Sequence, residues 1–517
     1  MSRTRAVLTH FVTGIAVSSV VLSVTCGQEN DQRHTDGGLF PQAYGVLANE
    51  DLMYPVDMSD WPVQIDRSRQ LFVDDYLVAA TENVQRTLHQ AVKHSANPLM
   101  VEHTPWEGSG PVFPIVRRDG PTGRFRMWYA GATRYDLPSG MSVRFPALYA
   151  ESEDGLQWQR PELGLHEYEG STANNIVIPA GNLFGLHIDE SDPDPQRRYK
   201  GIVWHEPHYV PREGYFLYTS PDGIHWTRAR DQPLALSLSG YALPQSGIGD
   251  TSIFRWDHLL GKYVGDVKFV LPGVMRTRGI MESDDLIHWS RPRVTIYPDA
   301  LDATDSQIYA NLSFCYESLW LGFLRVMHTE RTVGYKQTTV ELTASRDGRH
   351  YYRVGNRDEV LALGSEQEWD TDYHEPAWDP IPVGDELWVY YRSGKLRKDE
   401  TRRYDLGLAR FRRDGFASLD ASDVPGTVIT RPLTFPGQRL FVNADVADGG
   451  YLKAAVLTAG REPVAGRTLA ECRPAIGDSV AIPLTWQTVE EITIPAGDHV
   501  RLQFELQNAR LYSFWIE

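Results

Sequence analysis

A short turn motif repeats along this chain and limits what the chain can fold into. Ser152-Glu-Asp154-Gly155-Leu-Gln-Trp158 recurs as Ser220-Pro-Asp222-Gly223-Ile-His-Trp226, as Ser283-Asp-Asp285-Leu-Ile-His-Trp289 and as Ser345-Arg-Asp347-Gly348-Arg-His-Tyr351. Arg412-Arg-Asp414-Gly415-Phe416 is a worn fifth copy, and the five aspartates lie 68, 63, 62 and 67 residues apart. Near-equal spacing of this kind marks a stack or ring of similar structural units.

Each copy has the same local grammar. An apolar strand precedes it, as in Ala147-Leu-Tyr-Ala150 and Tyr215-Phe-Leu-Tyr218. Asp-Gly then makes a tight hairpin, because the aspartate bonds to its own turn and glycine accepts positive φ. The Trp on the return strand is expected to pack on the neighbouring unit. Upstream lie a second strand (Phe125-Arg-Met-Trp-Tyr129 in the first copy) and a first strand (Val112–Val116). Four antiparallel strands in roughly 65 residues is the pattern of a propeller blade. The spacing therefore predicts an all-β chain, with a five-bladed β-propeller over residues 61–423. Beyond it the repeat stops, and strand-like runs such as Leu440–Val446, Leu452–Leu457, Val500–Leu506 and Leu511–Ile516 predict a β-sandwich over 424–517. Gln70-Leu-Phe-Val-Asp-Asp-Tyr-Leu77 is expected to complete the ring or line its centre. The 43 Gly, 32 Pro, 14 Trp and 25 Tyr suit short strands and punctuated turns.

Residues 1–26 read as an export signal, with Arg3 and Arg5 ahead of an apolar stretch, Phe11 to Val24, that is short for a membrane span. Cys26 marks either ordinary cleavage or a lipid anchor, so the expected location is secreted, periplasmic or on the cell envelope. Residues 27–60, rich in Gly, Asp, Gln, Asn and Pro, are expected to form a flexible leader. Cys315 and Cys472 are the only other cysteines, so no disulfide framework is expected. The net charge of -17 disfavours a nucleic-acid partner. No phosphate-binding Gly loop, Cys-x-x-Cys pair, His-Glu-x-x-His or Gly-x-Ser-x-Gly occurs, and no cofactor is expected.

The Ser-x-Asp-Gly-x-x-Trp turns resemble those of the five-bladed propeller glycoside hydrolases of families 32, 43, 62 and 130. The five-fold count and the trailing sandwich are most similar in architecture to family 32. That resemblance implies a glycosidase acting on a poly- or oligosaccharide. The Asn-Asp-Pro and Arg-Asp-Pro signatures of family 32 are absent, and Glu471-Cys472 lies in the tail, so no catalytic residue carries over by motif.

Candidate site residues follow from propeller geometry instead. First strands converge on the axis, and their N-terminal ends face the same side as the ends of the second strands. Acids at those first-strand ends are Glu107, Asp250, Asp305 and Glu375. Glycosidic cleavage needs one carboxyl to protonate the leaving oxygen and another to act as base or nucleophile. Glu375 is assigned as general acid, Glu107 as base or nucleophile, and Asp250 as the orienting or pKa-tuning third acid; the competing role is turn capping for the aspartate and a solvated side chain for the glutamates. Lys268, Arg325 and Arg392 occupy matching second-strand ends and would balance charge or clamp a carboxylate or sulfate. His374, Asp305, Asp75 and Trp128 complete the expected substrate-binding set. His205-x-x-His208 with Glu206 has metal-ligand residue types but lacks an evident third ligand. The competing functions are a non-catalytic glycan-binding propeller, and a phosphorylase or lyase acting on an anionic glycan.

Overall fold

The computed structural model describes residues 62–517 except 102, 138–139, 206–213, 237–247, 272–274, 331–336, 397–401 and 493–497. The export segment with Cys26, the leader, Glu206 and His208 lie outside the described residues.

Five antiparallel blades follow the repeat, with the second and third joined in one sheet. Blade one runs Val112–Arg118, Phe125–Ala130, Ala147–Ser152 and Ile176–Ile178, with a hairpin of Thr133–Leu137 and Gly140–Arg144 between its second and third strands. Blade two is Asn182–Ile188, Tyr199–His205, Gly214–Ser220 and Thr227–Arg228, and blade three is Ile253–Asp257, Lys262–Leu271, Met275–Ser283 and Arg293–Ile296. Blade four is Ser306–Tyr316, Leu319–His328, Gln337–Ser345 and Tyr352–Arg353. First strands approach one another at the axis, where Gly185 of blade two meets Phe254 of blade three. Register shifts in the first strands of blades one, two and four bend them where they converge.

Blade five has Glu375–Pro376 and Ile381–Val383 on one side of Glu386–Leu396, then Arg402–Arg412. Its outer strand is Val92–Lys93, supplied from before blade one. The ring is closed by side chains as well: the Tyr390 hydroxyl of blade five donates to the Gly155 carbonyl of blade one at 2.8 Å.

The repeated turn works as its residue types require. Asp222 Oδ1 accepts the amides of Ile224 (2.8 Å) and His225 (2.9 Å), and Ser220 Oγ accepts the Gly223 amide at 2.9 Å. Asp154, Asp285 and Asp347 accept the matching pairs of amides. Trp158 of the first copy packs edge-on against Tyr390 of blade five as expected, whereas Trp226 and Trp289 donate back to their own turns. Second-strand aromatics bridge the seams as well. Trp128 donates to Gly223 O of blade two at 2.6 Å, and Trp320 donates to Asp257 of blade three at 2.7 Å. The worn fifth copy serves differently, because its buried Asp414 accepts Arg69, Tyr316, Asn443 and Ser513 and so joins propeller to sandwich.

The C-terminal sandwich is one folded sheet that includes the N-terminal strands Val63–Gln64, Gln70–Leu71, Val78–Glu82 and Gln85–Leu88. The segment expected to complete the ring thus joins the sandwich, with Gln70 paired to Phe514. Propeller residues accordingly begin at the Val92–Lys93 strand rather than at 61, and Ala417–Ala421 pairs within the sandwich sheet. The separate strands expected at 440–457 and 500–516 are two long ones, Leu440–Thr458 and Val500–Ile516. Register shifts at Asn443/Ala444 and Val446/Tyr451 let the paired strands bend over a core of Phe72, Val442, Leu502, Phe504 and Phe514.

Candidate active site

At the end of the ring where the first strands begin, blades three, four and five bring charged side chains together around two tyrosines. Lys268 and Arg325 end up there because the two occupy equivalent second-strand positions, and Arg392 is the direct cross-strand partner of Glu375. The Tyr309 ring on the first strand of blade four faces three cations. Lys268 Nζ is 5.2 Å from its centroid, Arg325 Cζ 4.9 Å and Arg276 Cζ 5.9 Å. The Tyr373 ring lies 4.7 Å from Arg325 Cζ and 5.0 Å from Arg392 Cζ. Arg392 also covers Phe113 of blade one at 4.7 Å, so the cluster reaches a fourth blade. Cations stacked on ring faces in this way are attracted by the aromatic quadrupole.

Two carboxylates enter this cluster. Glu375 Oε2 accepts Arg325 Nη1 at 2.6 Å and Arg392 Nη2 at 2.9 Å, with a side chain only 3% exposed. Its other oxygen, Oε1, is buried and has no hydrogen-bond partner. Asp250 pairs with Lys268 and keeps 36% of its side chain exposed. Burial opposes ionisation of Asp250, but Lys268, Arg276 and Arg278 outweigh it and hold the carboxyl below the usual range. Its loop is fixed on both sides. Ser252 Oγ donates to Gly249 O at 2.8 Å, the Tyr215 hydroxyl donates to the same carbonyl at 2.8 Å, and Arg278 donates to Thr251 O at 3.1 Å. Thr251 sits at φ 61, which is costly for a β-branched residue and persists only where the surroundings enforce it. Arg278 is itself held by Asp266, with Nε–Oδ1 at 2.5 Å.

The other expected residues lie elsewhere. Glu107 is fully buried in blade one, where Oε1 accepts Tyr129 (2.6 Å) and Arg160 (2.7 Å) and Oε2 accepts the Thr104 amide (2.7 Å). Asn175, which precedes the outermost strand, bonds the same tyrosine, so Glu107 lies over the outer half of the blade. Asp305 anchors the segment after the second strand of blade four by accepting the Glu330 amide at 3.1 Å, beside His328. His374 is fully buried between Ser393 Oγ and Ala362 O, both at 2.9 Å, and burial pushes it down to about 4. Both its nitrogens are engaged, so it has none to offer a sugar hydroxyl. Trp128 is wholly enclosed in the seam between blades one and two, so its ring has no free face for a sugar. Asp75 pairs with Arg86 in the N-terminal segment attached to the sandwich, away from the axis. Arg276, Tyr309 and Tyr373 were missed by the sequence reasoning; Tyr309 and Tyr373 were within reach of it, because each adjoins a first-strand position already singled out. His205 stacks on Phe216 and bonds the Tyr218 hydroxyl. No group of three metal-ligating side chains occurs among the described residues.

No protein-family model matches the chain, and no curated protein matches it. Solved structures are similar to it. One is a thermostable family-43 glycoside hydrolase, at 13% identity over 60% of this chain and 93% of that one, with a TM-score of 0.41. A fructofuranosidase from Schwanniomyces occidentalis complexed with fructosylnystose is 11% identical over 83% and 99%, with a TM-score of 0.39. An N-acetylgalactosamine deacetylase from F. plautii in complex with blood group B trisaccharide is 14% identical over 64% and 96%, with a TM-score of 0.40. Glycoside hydrolases of families 43, 32 and 62 are among the similar structures. Likeness at this level says nothing of chemistry, which lies in the atoms of the site.

Proposed function

We propose that this chain is an exported glycoside hydrolase whose catalytic carboxylates are Asp250 and Glu375 at the axial end of the propeller. The observation that supports the reading most directly is that each carboxylate keeps something in reserve. Asp250 is partly exposed, and Glu375 Oε1 has no partner. Asp250, held ionised by its cations, acts as base or nucleophile. Glu375, through Oε1, donates to the leaving oxygen. Glu107 takes part in no step, because both of its oxygens are already engaged.

The test is turnover of an aryl- and alkyl-glycoside panel by wild type, Asp250→Asn and Glu375→Gln. Losing a general acid or base removes about 10²–10⁴-fold of rate. Asp250→Asn is expected to lose that much on every substrate that the wild type cleaves. Glu375→Gln is expected to lose far more on alkyl leaving groups, which need a proton, than on activated aryl ones. Full turnover by Asp250→Asn, or a Glu375→Gln defect independent of leaving group, would remove the corresponding role.

A further inference from the structure

The axial cluster carries more positive charge than its own carboxylates balance. Lys268, Arg276, Arg325 and Arg392 meet around Tyr309 and Tyr373, and among the described residues only Asp250 and Glu375 pair with them. Arg276 contributes its charge with no ion pair among the described residues, held by Gln307 Oε1 and stacked on Tyr309. Taking unbalanced cations out of water is expensive unless an anion joins them.

Specific atoms are left open as well. Arg325 Nη2 and Arg392 Nε are buried donors without partners, on side chains 0% and 6% exposed. Glu375 Oε1 is in the same condition. Buried polar atoms are nearly always paired, so three orphans on one ion-paired trio point to an absent ligand or ordered water. The mixture of types narrows the ligand. Two guanidinium N–H groups call for an oxyanion, whereas Glu375 Oε1, the oxygen that carries the acid proton in the hydrolase reading, calls for a sugar oxygen. Sulfate or hydrogen phosphate can occupy the guanidinium position but brings no sugar oxygen to Glu375. A sugar carrying a carboxylate satisfies both, because it offers an anion and neighbouring hydroxyls on one rigid ring.

We infer that the substrate class is a uronic-acid-containing glycan, with the sugar carboxylate held by Arg325 and Arg392 and its charge further balanced by Arg276. The inference rests on the hydrolase reading for its location, but it makes a separate claim about binding.

Isothermal titration calorimetry at constant low ionic strength tests it, with glucuronate, glucose, sulfate and inorganic phosphate as probes. Glucuronate is expected to bind at least tenfold more tightly than glucose and more tightly than either inorganic anion. Arg276→Gln is expected to weaken glucuronate at least fivefold without shifting the melting temperature, and Arg392→Lys, which keeps the charge but loses the Nε donor, to weaken it further. Equal affinity for glucose and glucuronate, tighter binding of sulfate or phosphate than of the uronate, or unchanged uronate affinity in both variants would each overturn the inference. The two readings fail separately. Uronate discrimination with a fully active Asp250→Asn leaves the clamp and removes the hydrolytic role, whereas an inactive Asp250→Asn on a neutral glycan with no uronate preference does the reverse.

Discussion

Asp250 and Glu375 share a cluster, but substitutions around them carry different costs. Asp250 is partly exposed, so Asp250→Asn should unfold within a few degrees of wild type while losing activity. Arg325→Met leaves Glu375 buried and half-paired, and removing one partner of such a pair costs about 3–5 kcal/mol. Denaturant unfolding of Arg325→Met alongside the Arg325→Met/Glu375→Leu double variant checks this, with the double variant expected to recover part of the loss. Trp128→Ala should cost a similar ~3–5 kcal/mol through its cavity. If Trp128 instead stacked on a sugar, the variant would raise KM at unchanged stability. At this scale the sequence was readable only where position was informative. Lys268, Arg325 and Arg392 were recognisable because they hold equivalent second-strand places in successive blades. Glu107, His374 and Trp128 were not, because a buried residue with every polar atom bonded has the same letter as one that faces a substrate.

The repeated turn is the element that ties neighbouring blades together, and one pair of glycines separates backbone from packing. Gly223 adopts φ +79, and a Cβ there would meet Trp128 Cζ2 at 2.7 Å. Gly164 has a similar φ of +70 with nothing within 4 Å. Both alanine variants bear the cost of a left-handed conformation, roughly 1–2 kcal/mol. Gly223→Ala should exceed Gly164→Ala by a further ~1–3 kcal/mol of overpacking in urea titrations. Equal losses would show that the seam yields freely. These turns were the most legible part of the fold, since their Ser, Asp and Gly each make a bond or adopt a conformation that the local sequence dictates. The strand that finishes blade five was invisible. Val92–Lys93 is two residues long, and its pairing with Ala409 and Arg410 leaves no local pattern.

At the scale of the whole molecule, three histidines, His187 and His205 in blade two and His374 at blade five, respond alike to acid. Burial pushes His187, His205 and His374 down to about 4. An unfolded histidine titrates near 6.5, so the unfolded chain takes up protons first as pH falls. The stability these groups contribute is complete above about pH 6.5 and declines through the interval down to about 4. Urea midpoints should therefore fall between pH 7 and 5 with an uptake of up to three protons on unfolding. A flat profile would mean that those rings are hydrated in the native state. The overall plan of ring and sandwich was legible from the spacing of the turns, but the route of the N-terminal segment was not, because its partners lie hundreds of residues away. That route bears on biogenesis. Val63 aligns with Leu433, and Lys93 waits for Ala409, so the earliest strands to leave a ribosome have no edge to join until nearly all of the polypeptide has been made. Closing such long loops is slow. Blades one to four can pair within themselves as they emerge, whereas ring closure and the sandwich wait for the tail.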